Sequence, residues 1–174
     1  MKSTIQLIIA TVATFVIFSA SIARAQEQPK PGGHDMSGMS QDEMNKRGDK
    51  VMGFDHTKTT HHFGLLRDGG AIEVAANDAN DTASRDEIRK HLAHIAMMFA
   101  DGNFKAPILI HDQDPPGVAV MQRLKDQIEY EFEKTELGAR VRISTKNPEA
   151  LQAIHDFLRF QIKEHKTGDP LEVG

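Results

Sequence analysis

Hydrophobic residues change their spacing several times along this chain, and these changes predict where strands and helices lie. Apolar and polar residues alternate on both sides of Asp68-Gly69-Gly70, a pattern typical of two strands joined by a tight turn. A second alternating pair flanks the sequence KTELG, and its outward positions would place glutamates of one strand opposite arginines of the next. The chain therefore predicts two β-hairpins, each with one buried face.

A helical period follows each predicted hairpin. The apolar stripes expected to face the sheet are Ile88, Leu92, Ile95 and Phe99 in the first helix and Leu151, Ile154, Leu158 and Ile162 in the second. Ser84 and Glu87 predict a capping box at the start of the first helix, and Asn147-Pro148 predicts the start of the second. Between the halves we expect a connection containing a short extended piece at residues 107–110, and then a short helix over VAVMQRLKDQ.

These elements predict an α+β fold. It would consist of a four-stranded antiparallel sheet with two main helices on one face, the other face being wet. Each half reads strand, turn, strand, helix, so the domain resembles a ββα–ββα pseudo-repeat. In that alignment His91 falls near the place that His155 takes in the second half.

The N-terminal pattern is different and predicts export. Lys2 is followed by an apolar run from Ile5 to Phe18, shorter than the about 20 residues that span a bilayer, and then by Ala23-Arg24-Ala25. This is the layout of a cleaved signal peptide over residues 1–25. Residues 26–55 lack an apolar period, so we expect a flexible leader that contains Met and His and docks near Phe54. Residues 56–174 would form a single domain.

Composition narrows the function. The formal net charge is −4 and becomes more acidic once Lys2 and Arg24 are removed, which disfavours a nucleic-acid partner. No cysteine is present, so disulfides, thiolate ligands and covalent haem attachment are excluded. We expect a periplasmic or secreted protein without stable membrane insertion after signal cleavage. No catalytic or nucleotide-binding motif occurs, so a non-catalytic role is favoured and an enzyme stays open.

Nine histidines and eight methionines supply the candidate chemistry. In the first helix, His91, His94 and Met98 fall on one stripe at the margin of the apolar face and could hold copper or zinc. The alternative is two solvated histidines beside a gap-filling methionine. His61 shares the inward parity of the first strand, and we consider that it could converge with His91 and His155 beneath the helices.

His155 lies within the apolar stripe of the second helix, so it must have a partner. A backbone carbonyl is the favoured partner, and a metal or bound ligand is the alternative. His111 and His165 are expected to have no special role, His165 as a cation at a helix C-terminus.

The leader offers a separate metal-binding pattern. It carries His34, Met36, Met39 and Met44 in a polar segment. Thioethers bind monovalent copper well, and imidazole takes divalent copper, so this strip could capture copper in an oxidising compartment. An ordinary linker that happens to contain methionine is the alternative.

The sequences GFDHTKTTHHF, IRKHLAHIAMMFADGNFKAP and AIHDFLRFQIKEHKTGD resemble a family of small exported bacterial proteins of unknown function. Such proteins sometimes carry a carbamoyltransferase label, but this chain lacks the Ser-Thr-Arg-Thr phosphate loop of those enzymes. The resemblance implies export and a compact domain, and it adds no functional residues.

Three functions follow from the sequence. The leading hypothesis is a periplasmic metal-binding protein that sequesters copper, or passes it to another metal-handling protein, without catalysis. The second is a haem or small-ligand binding protein with His91 or His155 as an axial ligand. The third is a non-catalytic interaction module in which the histidines are incidental.

Overall fold

The computed structural model of the protein describes residues 41–174, which belong to one compact unit. Single 3₁₀ turns precede the first and third strands, at His56–Lys58 and Lys125–Gln127. The remaining elements, in chain order, are α1 Gln41–Met52, β1 Thr59–Leu66, β2 Gly69–Ala76, α2 Thr82–Ala100, α3 Lys105–His111, α4 Val118–Arg123, β3 Ile128–Lys134, β4 Gly138–Thr145 and α5 Pro148–His165. No helix among these residues is long and apolar enough to cross a membrane.

The four strands form one antiparallel sheet in the order β1-β2-β4-β3, which confirms the predicted α+β fold. β2 and β4 meet at the centre, so each hairpin supplies one inner and one outer strand. The predicted register is also confirmed, because Glu131 pairs with Arg142 and Glu133 pairs with Arg140 on the wet face. An internal duplication of the sequence stays a prediction.

Helices α2 and α5 cover the other face of the sheet. The predicted α2 stripe is buried throughout, and in α5 the residues Ile154, Leu158 and Ile162 are buried while Leu151 is only partly so. Burying such side chains is the main favourable term in folding, at roughly 25 cal/mol per Å² of apolar surface. The core therefore lies between the sheet and these two helices.

The helix caps confirm one prediction and correct another. Asn147 caps α5 by accepting from the Glu149 and Ala150 amides, with Pro148 in the first turn. At α2 the predicted capping box is wrong. The helix begins earlier, at Thr82, and Asp81 is the cap, accepting from the Ser84 amide and hydroxyl.

The predicted extended piece at residues 107–110 is also wrong, because Lys105–His111 forms the helix α3. Pro107 occupies its first turn, where a backbone N–H has no helical partner and its loss costs nothing. Ala106, Pro107, Ile110 and His111 are buried, so α3 is held by packing rather than by a cap.

The leader has more regular structure near its end than its composition predicts. Gln41–Met52 forms the helix α1, on which Met44 is buried. Phe54 is buried in the core and Val51 and Met52 pack against it, as expected for a segment that docks near Phe54. The predicted signal peptide and residues 26–40 of the leader lie outside the described residues, so both stay predictions.

The C-terminal segment follows the outer edge of β1. Asp169 accepts from the Phe63 amide at 2.9 Å, and the Gly174 amide donates to the Leu65 carbonyl at 3.1 Å. These bonds satisfy part of a strand edge that would otherwise be open to pairing with another chain.

Candidate metal site

Histidines from three elements line a cavity of about 70 Å³ between the sheet and the helices. His61 comes from β1, His91 from α2 and His165 from α5. Apart from Gln161, the other lining residues are apolar and include Phe63, Phe99 and Phe157. The cavity therefore places imidazoles in a dry setting, where unpaired nitrogen atoms are costly.

The alternation of β1 places His61 on the buried face. It pairs across the sheet with Val74 and shares its parity with Phe63, which is buried. Its ring centroid lies 6.1 Å from that of Phe54 and 5.6 Å from that of His165. The prediction that His61 points toward the helices is therefore confirmed.

His165 and His111 extend this arrangement into a row. The His165 ring centroid lies 5.6 Å from that of His61 and 5.1 Å from that of His111. Packing of α3 against the end of α5 places His111 against His165, which in turn stacks on His61. The expectation that these two histidines have no special role stays a prediction. We call His61, His165 and His111 the imidazole row.

His111 is 2% exposed and makes one polar contact, at 3.0 Å between its Nε2 and the Oε1 of Gln161. His111 Nδ1 and Gln161 Nε2 are both buried without a hydrogen-bond partner. If the His111 proton moved to Nδ1 and the Gln161 amide were flipped, the amide nitrogen would donate to Nε2 instead. His111 Nδ1–H and the Gln161 oxygen would then be the unsatisfied groups. In the arrangement described, Gln161 accepts from Nε2–H and leaves the lone pair of Nδ1 unused.

Burial lowers the pKa of every histidine in this corner. The pKa of His61 falls to about 4, mainly by burial and further by His62 and His56. That of His91 falls to about 4, by burial and by its neighbours His61 and His94.

The other two members of the row shift in the same direction. Burial, with His61 and His111 nearby, lowers the pKa of His165 to about 3. Burial also lowers that of His111, opposed by its bond to Gln161 and by Glu164. The expectation that His165 is a cation opposite the helix dipole is therefore wrong, and the row is neutral near pH 7.

A groove of about 410 Å³ lies beside the cavity, between α1 and the rest of the domain. Four residues line both spaces and form a neck between them: Met52, His61, Ile110 and His165. Two members of the imidazole row, His61 and His165, can therefore be reached from the groove beneath α1, whereas His111 lines neither space.

His155 does not converge with these residues. Its Nε2 lies 2.9 Å from the carbonyl oxygen of Leu66 and 3.0 Å from that of Gly69, so this nitrogen carries the proton and donates to both. A backbone partner was the favoured alternative for this residue. The hypothesis that it meets His61 and His91 is wrong, because the bond holds the imidazole at the β1–β2 turn.

The two other predicted ligands in α2 do not line the cavity. His94 is exposed and lines neither the cavity nor the groove, while Met98 packs against the margin of the core. The leader residues His34, Met36 and Met39 lie outside the described residues. Of the eight predicted ligands, the structure brings His61 and His91 to one cavity.

Among residues 41–174, one set of three His or acidic side chains has its ligand atoms mutually within 4.8 Å: Asp49, Asp55 and His56. Both oxygens of Asp49 already contact His56 Nδ1, at 2.9 and 3.0 Å, and Asp55 accepts from Thr57. No three nitrogens of the imidazole row meet this distance criterion. An ion bound to all three rings would have to draw them closer.

Sequence reasoning missed His165 and His111, although a signal was present for one of them. His165 continues the buried α5 stripe, lying seven residues after Leu158 and three after Ile162. His111 follows Ile110 in α3, a helix too short to show a clear period. Its role depends on contacts with a distant part of the chain.

Comparison of the chain with protein-family models, with curated proteins and with solved structures finds no match. The fold and cavity define a small α+β protein with a row of neutral imidazoles at one end of its helix layer. Its chemistry is therefore argued from these residues.

Proposed function

We propose that this protein binds copper at the imidazole row in the periplasm, and that it sequesters the ion or passes it to another metal-handling protein without catalysis. The observation that carries the proposal is the buried, unpartnered Nδ1 of His111, whose ring lies against that of His165, which is itself stacked on the ring of His61. A bound ion would satisfy this lone pair, which otherwise costs roughly 1–3 kcal/mol.

The contact between His111 and Gln161 supports the same function. Metal-binding histidines usually donate their second N–H to an oxygen, which fixes the tautomer and orients the ligand nitrogen. Gln161 Oε1 occupies that position at 3.0 Å from His111 Nε2. His111 is therefore arranged as a ligand would be.

Ring spacing and protonation also favour metal binding. Metal–imidazole bonds are near 2 Å, so two imidazoles on one ion have ring centroids roughly 5 Å apart. The observed separations are 5.1 and 5.6 Å. Because burial lowers the pKa of these histidines, protons compete weakly for their nitrogens at neutral pH.

The cavity does not favour haem or a larger organic ligand. Sites for drug-sized molecules enclose about 300–1,000 Å³, whereas this cavity holds about 70 Å³. An ion with one or two small ligands fits that space. A haem or larger ligand would therefore need the adjoining groove of about 410 Å³ rather than the cavity.

The cluster of Asp49, Asp55 and His56 is a weaker candidate, because its geometry has a structural explanation. Asp49 fastens the His56 ring and amide to α1, and Asp55 caps the following 3₁₀ turn. Both oxygens of Asp49 and one oxygen of Asp55 are thus already used in folding.

Competition titrations of the full-length mature protein with copper would test the proposal. Wild type, His61→Ala and His165→Ala would be compared under oxidising and reducing conditions. We expect each variant to bind at least about 100-fold more weakly, about 2.7 kcal/mol. Circular dichroism would confirm that each variant is folded.

Two controls separate the row from other donors. His94→Ala removes an exposed imidazole of the same helix layer, and His56→Ala removes the acidic cluster's imidazole; both should bind like wild type. Unchanged affinity in folded His61→Ala and His165→Ala would overturn the proposal. Loss in His56→Ala alone would transfer the site to the acidic cluster.

A further inference from the structure

Met52 stands at the entrance to the imidazole row. It is the last residue of α1, and it lines both the cavity and the groove, as His61 and His165 do. Met52 therefore lines the same neck as two of the three imidazoles. The sequence pattern did not single out this methionine.

Gly48 makes room for the Met52 side chain. A glycine inside a helix costs about 1 kcal/mol relative to alanine, so its presence in α1 calls for a packing reason. A Cβ at position 48 would lie 3.1 Å from Met52 Cε, and Gly48 also lines the groove. Met52 therefore packs over Gly48, one helical turn earlier.

Contacts on both sides hold α1 in place. Met44 is 4% exposed, Arg47 pairs with Asp112 at 3.1 Å, and Asp49 binds the His56 ring. These contacts fix the end of α1 over the groove. Met52 consequently has a defined position beside His61 and His165.

The charges around the neck disfavour a divalent ion. Among the described residues that line the cavity or the groove, none is acidic, and Lys166 adds a positive charge to the groove. The cost of bringing an ion into an apolar site rises with the square of its charge, and neutral ligands leave that net charge uncompensated. A monovalent ion therefore enters at a much smaller cost.

We propose that Met52 supplies a thioether ligand that completes the imidazole row as a site for a soft monovalent cation, Cu(I) or Ag(I), in preference to Zn(II) or Cu(II). The inference rests on the proposed function, because it assigns an additional ligand to the same site. Thioethers are soft donors that favour monovalent copper, and α1 brings this one from the leader to the domain.

Met52→Leu is the sharpest test, because it removes the sulfur while keeping a similar apolar volume. Ag(I), anaerobic Cu(I), Zn(II) and Cu(II) would each be titrated against a competing chelator in the full-length mature protein. We expect the affinity for Ag(I) and Cu(I) to fall at least about tenfold and that for Zn(II) and Cu(II) to change less than about twofold. Met97→Leu, at a methionine that is 61% exposed, is the matched control.

A residue-specific signal separates this site from methionines of the leader. With ¹³C-methyl methionine labelling, the signal lost in Met52→Leu should shift on addition of Ag(I) to wild type. Gly48→Ala offers a second variant, because it favours the helix yet displaces the Met52 methyl. It should shift the Met52 methyl signal without unfolding α1.

The outcomes distinguish the two proposals. If His61→Ala weakens Ag(I) binding but Met52→Leu does not, or if Met52→Leu weakens Zn(II) and Ag(I) equally, the thioether inference is wrong and the imidazole row stands. If folded His61→Ala binds every ion like wild type, the proposed function itself is wrong. An unshifted Met52 methyl signal with saturating Ag(I) would also overturn the inference.

Discussion

Helix α5 carries one histidine near its middle and another at its C-terminal end, and the two have different surroundings. His155 is 7% exposed and donates to two carbonyl oxygens of the β1–β2 turn. His165 lies ten residues later, against the rings of His61 and His111, among groups that accept or donate little. His155 is thus held by hydrogen bonds to the backbone, whereas His165 is only partly buried and is surrounded by other rings.

This difference indicates how a structural histidine can be distinguished from a candidate ligand. A buried polar group usually forms hydrogen bonds, and exceptions need an explanation. His155 satisfies that rule and ties α5 to the first hairpin. The row of His61, His165 and His111 violates it at Nδ1 of His111, and the ring of His165, which His111 contacts, lines both the cavity and the groove.

Acid should affect the end of α5 that carries the imidazole row most strongly. The pKa is about 4 for His61 and about 3 for His165 in the folded protein, against an ordinary value of 6.5. The unfolded chain therefore binds more protons as the pH falls below 6.5. Stability is complete above that pH and is lost as the pH falls toward 4, by up to roughly 1.4 kcal/mol per pH unit for each histidine.

Urea denaturation of the metal-free protein between pH 7 and pH 5 would measure this loss, because most carboxylates stay ionised over that range. We expect a decrease of a few kcal/mol in the free energy of unfolding. A His61→Phe, His165→Phe double variant should show a much flatter profile. A wild-type free energy that stays constant down to pH 5 would contradict the account.

Of the two histidines in α5, His155 should matter more for stability and His165 more for copper binding, as alanine substitutions would show. His155→Ala leaves a cavity and frees two buried carbonyls, so we expect a loss of about 2–4 kcal/mol in stability. Copper affinity in the folded variant should stay within about twofold. His165→Ala should cost less stability but most of the copper affinity. Denaturant melts and competition titrations of both variants would measure the two effects. If one variant lost more of both stability and copper affinity, the prediction would be wrong.

The C-terminal segment provides a smaller test, because it contacts the outer edge of β1 and none of the imidazole row's hydrogen bonds. Asp169 accepts from the Phe63 amide and contacts His62 Nδ1 at 3.0 Å. Asp169→Ala should therefore cost about 1–2 kcal/mol of stability and leave copper affinity unchanged. An equal loss of affinity would mean that the position of His61 depends on the strand edge rather than on packing beneath the helices.

Local patterns were sufficient to predict the sheet and the two long helices. Each hairpin has its own alternation and turn, and each long helix has an apolar stripe that only one face can bury. Helix α3 has seven residues and no side-chain cap, so its helical signal was too short to detect. Helix α1 has a polar sequence and is held through contacts such as the burial of Met44, which a leader's composition cannot predict.

The candidate site was harder to predict because it is made by tertiary contacts. The parity of β1 correctly placed His61 inside, and the α2 pattern correctly indicated His91 at the margin of the core. The grouping with His155 was wrong, because helical spacing cannot tell which carbonyl lies opposite a buried ring. The participation of His111 depends on Gln161, fifty residues away along the chain.

Long-range ¹⁵N spectra of the histidine rings, recorded before and after addition of Cu(I) to the full-length mature protein, test the central claim most directly. Each ring would be assigned by its own His→Ala variant. We predict that the nitrogen signals of His61, His111 and His165 shift together at one equivalent of ion, while those of His155 and His94 do not. Unchanged signals from the row, with shifts confined to His56 or to His34, would contradict the account.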